Sequence, residues 1–293
     1  MANELVTVAR NAGEYTLVAA DTTDAKLVAL WIGSKKSAKT HRLYQAFYEA
    51  FAAFVQKPLQ AITYNDLQSW AEQLTGSVNT KRVTVYAIKS LFTFAHTTGY
   101  IRMNPAIVIK PPDAKNTLAQ RILSEDQVLA MIHKTSKQRD NVLLRVLYAS
   151  AGRISEVCGL TWGDVQPNGD TGQVTLFGKG GKTHAVKLSK ATWQALQDYR
   201  QGAPDAAPVF KSQKGGSLTA VQVHRLVKQA AQRAGIPGNV SAHWLRHSHA
   251  SHALDRGANI ALVRDTLGHS SLEVTSRYTH AKPNESSALY LAV

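Results

Sequence analysis

One cysteine, Cys158, in 293 residues leaves no partner for an internal disulfide and suits a reducing cytosol. No apolar run approaches the roughly 18 residues of a membrane span, and no basic, apolar, small-residue leader opens the chain. These absences predict a soluble, cytoplasmic protein with no membrane partner. Acidic residues are scarce as well: 20 Asp and Glu stand against 34 Lys and Arg, giving a formal net charge of +14 and a pI near 9.9. A surface so short of negative charge points to a polyanion as partner, although an unengaged basic surface has the same composition.

What is present is ordinary globular material. A hydrophobic fraction of 44% is enough to bury, and 293 residues suggest two domains rather than one core. The basic excess is shared: residues 1–110 carry 12 Lys and Arg against 7 Asp and Glu, and residues 111–293 carry 22 against 13. Two separately basic halves suit a clamp that grips a duplex from both sides.

Helical periodicity dominates the first half. Residues 39–56 hold apolar side chains at helical spacing until Lys57 and Pro58, and a second helix is expected over 64–74 with Asn65 or Asp66 as N-cap. A third is expected over 79–97, with Val83, Tyr86, Ala87, Leu91, Phe92 and Phe94 as its apolar stripe and Gly99 ending it. The lead-in 1–24 gives no clear signal. Three prolines and little periodicity make 103–120 an inter-domain connection, so that a helical domain over 25–104 and a second domain over 121–293 flank a linker at 105–120.

In the second half, Ser124 followed by Gln127 is a capping-box pattern, and helices are expected to continue to about Thr161. Two short strands near 173–177 and 184–188 flank a turn, after which helices return. The fold class is mainly α, with a small β hairpin in the second domain.

Four segments carry residues suited to chemistry. Arg153, within Gly152-Arg153-Ile154-Ser155-Glu156, lies at a helix start, where the dipole is positive and a guanidinium is awkward unless an anion binds there. Pairing with Glu156 is the simpler structural account. The turn Gly178-Lys179-Gly180-Gly181-Lys182-Thr183 imitates a P-loop, but Leu176 occupies the place of the first required glycine and the following residues alternate like a strand, which argues against ATP. Its two lysines can reach a phosphate or a DNA groove, or simply be solvated.

In the third segment, His243 and Arg246 are three apart and share a helix face. His243 and His247 are four apart, as in a zinc site, but Trp244 replaces the glutamate of a metalloprotease motif and no cysteine cluster exists, so no metal is expected. Some of His247, His249 and His252 are expected to be packed or solvated. The fourth segment runs from Thr266 to His280 and contains His269 and Tyr278, nine residues apart.

Together these segments resemble, in order and spacing, the tyrosine recombinases, which include the phage integrases and the Xer-type chromosome-dimer resolvases. The resemblance covers about residues 145–280, and the helical first half is similar to the family's DNA core-binding domain. It implies that Arg153 and Arg246 are the two catalytic arginines, Lys179 the hairpin lysine, His243 the histidine, His269 the residue at the family's His-or-Trp position, and Tyr278 the nucleophile. Lys182 competes with Lys179.

The implied chemistry fits the residues. Guanidiniums, always charged, can neutralise the non-bridging oxygens of a phosphodiester in its transition state, assisted by His269. Tyr278 attacks phosphorus to give a 3′-phosphotyrosyl bond and a free 5′-hydroxyl, with its proton passing to His243 and with Lys179 protonating the departing oxygen. No cofactor is required. The implied partners are double-stranded DNA and, on two DNA sites, a homo-tetramer in which the tail 284–293 docks on a neighbouring subunit. A type IB topoisomerase would use nearly the same chemistry and differ in product, relaxing DNA without exchanging partners. A catalytically idle DNA-binding regulator would be expected to lose some of the six residues.

Overall fold

The computed structural model describes residues 8–9, 15–178 and 181–279. Lys179 and the tail 284–293 lie outside these residues. The chain divides into two compact units, Met1–Lys115 and Asn116–Val293.

The first unit is built from four helices, α1 (Asp24–Gly33), α2 (Ala38–Val55), α3 (Tyr64–Gln73) and α4 (Val78–Thr97), preceded by a short antiparallel pair, β1 (Val8–Ala9) and β2 (Tyr15–Thr16). Each helix starts at a hydroxyl residue, Thr23, Ser37, Thr63 and Ser77 in turn, whose side chain accepts an N–H of the first turn. The α3 cap is therefore Thr63 and not Asn65 or Asp66. Asp66 instead returns its carboxylate to the Thr63 N–H at 2.9 Å, closing a capping box. Helix α1, which opens the expected helical domain but was not itself anticipated, contributes Leu27, Val28 and Trp31 to a core shared with Phe51, Trp70 and Phe92.

The expected apolar stripe of α4 is met in part: Ala87, Leu91 and Phe92 are buried, but the buried face is shifted at its edge. Val83 and Tyr86 are about half exposed, while Val85, Ile88, Leu91, Phe92 and Ala95 face inward. The helix carries apolar residues on both sides, so periodicity offered two faces and packing selected one.

The second unit begins with α5 (Glu125–His133), which starts at the expected Ser124–Gln127 capping box, then α6 (Gln138–Ser150) and the short α7 (Ile154–Cys158). A three-stranded antiparallel sheet follows in the order β3 (Val165–Asn168), β4 (Thr171–Phe177), β5 (Thr183–Lys187). Strand β3 was not anticipated. It contains Pro167, which is tolerated because β3 is an edge strand, and it turns at Gly169 directly into β4. Helices α8 (Lys190–Arg200), α9 (Ala220–Arg233), α10 (Ala242–Asp255), α11 (Ile260–Leu267) and α12 (Leu272–Ser276) complete the unit. Met131, Leu143, Leu147, Val174, Leu196, Phe210 and Val227 lie in its apolar core. Among the described residues no helix is long and apolar enough to cross a membrane.

Candidate active site

The site grows from the end of α11. An α-helix leaves its last four carbonyls without partners inside the helix. Here Gly268 adopts a left-handed conformation (φ 60°), the Gly268 N–H returns to the Asp265 carbonyl at 3.0 Å, and the His269 N–H to that of Arg264 at 3.1 Å. This Schellman closure satisfies two carbonyls and leaves those of Thr266 and Leu267 open, at the negative end of the helix. Leu267 accepts a hydrogen bond from Arg246 at 2.5 Å, and Gly268 receives Arg153 at the outer limit of 3.5 Å. Glycine suits 268 on two counts, its φ and the tight space left by the ring of His184, which a Cβ would approach to 3.2 Å.

Arg246 is only 3% exposed on α10, and its second terminal nitrogen donates to the Ala151 carbonyl at 2.6 Å. That carbonyl points inward because Ala151, the C-cap of α6, is itself left-handed (φ 49°). Burial lowers the Arg246 guanidinium to about 10, helped by the charge of Arg153, so it remains a cation at neutral pH. Its direct hydrogen-bond partners are two neutral carbonyls, and the nearest compensating charge, Glu156, is bonded to Arg153 instead.

Arg153 is the N-cap of α7 rather than a residue inside it. Glu156, almost wholly buried, accepts both the Arg153 backbone N–H at 2.8 Å and its guanidinium at 2.7 Å. The simple pairing anticipated from sequence is therefore present, yet 41% of the Arg153 side chain stays exposed. The hairpin leaves the sheet at this point. A Cβ on Gly178 would lie 3.1 Å from Glu156 Oε1, and the Gly178 N–H closes the turn on the Lys182 carbonyl at 2.7 Å. Lys182, one of the two lysine candidates, thus closes a turn whose base packs on the Arg153–Glu156 pair.

Tyr278 follows α12 and is 6% exposed. Its hydroxyl lies 2.8 Å from Nδ1 of His247, the residue after Arg246. Sequence reading left open which of His247, His249 and His252 are packed or solvated, and gave the phenolic proton to His243. The structure puts His243 one step away, its ring against that of His247 with centroids 4.4 Å apart. The signal was available: His243 and His247 share a helix face, but that spacing was weighed only as a metal motif. His249 and His252 are packed, bonding the Tyr148 carbonyl and the Tyr148 hydroxyl respectively.

Burial raises the Tyr278 phenol above its ordinary value, against the pull of Arg246 and Arg277. It lowers His247 to about 3, helped by His243 and nearby arginines, and His269 to about 4, helped by Arg246 and Arg153. Both rings are neutral at physiological pH. His269 Nδ1 is held by the Thr275 hydroxyl at 3.0 Å, which fixes the ring relative to α12.

Residues 121–285 match the phage integrase family. The chain is 34% identical over 200 residues to tyrosine recombinase XerC of Xylella fastidiosa, covering 66% of this chain and 67% of the relative. Among solved structures it is similar to the XerH site-specific recombinase bound to a palindromic difH substrate in a post-cleavage complex, with a TM-score of 0.75 and 22% identity over 91% of this chain and 83% of that one. A lambda integrase tetramer bound to a Holliday junction matches with a TM-score of 0.68 and 16% identity over 85% of this chain and 78% of that one. The structural likenesses show a shared, mainly helical fold; the sequence matches go further. This chain belongs to the phage integrase family and is a site-specific recombinase of the tyrosine type.

Proposed function

We propose that Tyr278 cuts one DNA strand by attacking a phosphodiester held by Arg153 and Arg246, and that the strand is rejoined from the resulting 3′-phosphotyrosyl bond. One observation carries this reading: two guanidiniums are anchored on adjacent carbonyls of the 266–268 turn, and the phenol is bonded to the residue next to Arg246. In the first step the Tyr278 oxygen forms a bond to phosphorus, its proton leaves to a neighbouring base, and the bond to the 5′-oxygen breaks as that oxygen takes a proton. Two arginines stabilise the charge gathering on the non-bridging oxygens. The stored phosphodiester lets the reverse step proceed without ATP.

The proton acceptor is the pair His243 and His247 acting together, with His247 nearest the hydroxyl. A ring held near 3 is a weak base while Tyr278 is docked against it, so transfer belongs to the state in which phosphate has entered and added negative charge. Lys179 is the donor to the leaving oxygen, with Lys182 as its alternative. His269 assists the arginines.

The unit 116–293 is the catalytic domain, and the helical unit before it grips the duplex as the core-binding domain. The working form is a homo-tetramer on two DNA sites, and the tail 284–293 joins neighbouring subunits. Covalent protein–DNA adducts mapped across the source genome test the reading and yield the target site. Wild type should leave a 3′-linked adduct at a discrete sequence, and Tyr278→Phe should bind that sequence with unchanged affinity and form none. A Phe variant that still traps nicked DNA transfers the nucleophile to another tyrosine.

A further inference from the structure

The leaving-group lysine presents a positional problem. Both lysine candidates fall in the sequence 178–182, which holds three glycines, residues with little conformational preference of their own. Placement must come from the strands that flank them. On the β4 side, Gly178 rests on Glu156. On the β5 side the first inward residue is His184, paired across the sheet with Leu176.

His184 lies against the same turn that anchors the arginines. Its ring lies against Gly268, with Cε1 and Nδ1 at 3.2 and 3.3 Å from where a Cβ would be. The open Thr266 carbonyl is in hydrogen-bonding reach of the ring, and its Nε2 is buried with no partner. An imidazole with one buried, unpartnered nitrogen is neutral, so its single proton belongs on Nδ1, facing Thr266. Burial first, and the charges of Arg246 and Arg153 after it, hold the ring below its ordinary value despite Glu156, which keeps it in that form. Three successive carbonyls, 266, 267 and 268, therefore take His184, Arg246 and Arg153.

We propose that His184 is a positioning residue which fixes the β4–β5 hairpin in register with the 266–268 turn, and so sets the hairpin's acid against the phosphate held by the two arginines. This rests on the reading of the site given above. His184 touches neither DNA nor the reacting atoms; it acts through the hairpin. Misplacement of a reacting group by about 1 Å costs on the order of 10²-fold in rate.

The test uses the full chain and a nicked duplex carrying the sequence recovered from wild-type adducts. One version has the natural 5′-oxygen at the cleaved bond, and the other a bridging sulfur, whose thiolate leaves without a proton. His184→Leu, which keeps bulk and loses the donor, should slow adduct formation on the oxygen substrate by about 10–100-fold. On the sulfur substrate it should approach the wild-type rate, with DNA affinity unchanged on both. His184→Gln, which retains an N–H toward Thr266, should recover most of the loss. Equal slowing of His184→Leu on both substrates overturns the inference, as does a Gln variant no faster than Leu. If the Leu variant does not fold, His184→Asn read on the same pair decides, since a shorter donor should give a partial defect that sulfur removes. Lys179→Ala on the two substrates reports on the acid itself. Should sulfur fail to restore it while restoring His184→Leu, the acid is Lys182 and the role of His184 stands.

Discussion

The two units bury different things. Among the described residues, the first unit encloses Trp31, Phe51, Trp70 and Phe92, and its only buried polar side chains are Thr84 and Thr98, of which Thr98 bonds backbone carbonyls one turn earlier. The second encloses a larger apolar core that includes Trp162 and Phe210 and, beside it, Asp140, Glu156, Arg246 and His252. Buried charge rarely stabilises more than an apolar replacement would, so its concentration in one unit marks where stability has been exchanged for chemistry. The helical unit encloses an almost purely apolar interior; the other maintains buried charge at its site.

Apolar truncation should break the first unit hardest. Phe51→Ala removes a ring packed edge-on against both Trp70 and Phe92, and should cost about 3–5 kcal/mol. Hydrogen exchange on the whole chain should then lose protection in α1–α4 while α5–α10 keep theirs. Loss of protection in both together would show that the units unfold as one.

Arg246→Met makes the converse cut. It should lower the rate of adduct formation by about 10²–10³. It also orphans the Ala151 and Leu267 carbonyls, at about 1–3 kcal/mol each, so the second unit should loosen as well. A variant with normal cleavage would remove Arg246 from the phosphate site.

Acid should separate the units more gently. His247, His249 and His269 are held at about 3, 4 and 4, below the ordinary 6.5, so between those values the unfolded chain binds protons that the folded chain does not. Stability from these rings is present above pH 6.5 and is lost as pH falls toward 4. In the first unit Asp66, held at about 2 by Lys57 and the Thr63 cap, contributes stability that is lost only as pH falls below its ordinary 3.8. Exchange between pH 7 and 4.5 should therefore loosen α10–α12 before α3; simultaneous loss would contradict the assignment.

The smallest effect should ignore the difference between units. Ser124→Ala and Thr63→Ala each remove a hydroxyl cap from a complete capping box, and each should cost about 1 kcal/mol by denaturant titration. Strongly unequal costs would mean that tertiary contacts, not local capping, hold one of these helix starts.

Local rules account for what could be read from the chain alone. Periodicity, caps and breakers act within a few residues, and they located α2, α4 and the Ser124 start and the hairpin strands to within one or two positions. The spacing of Arg153, Arg246, His269 and Tyr278 marked the family because a motif is a property of order. Which side of α4 faces inward was not local, since both sides carry apolar residues and only neighbouring helices choose. Nor was β3, whose Pro167 is acceptable only at the edge that the folded sheet provides. The partner of Tyr278 lies 31 residues away on α10, and the anchors of Arg246 lie 95 and 21 residues away. The anchors are backbone carbonyls with no sequence signature, one at the end of α6 and one at the end of α11, so only the folded chain could assign them to Arg246 and bring His184 to the turn.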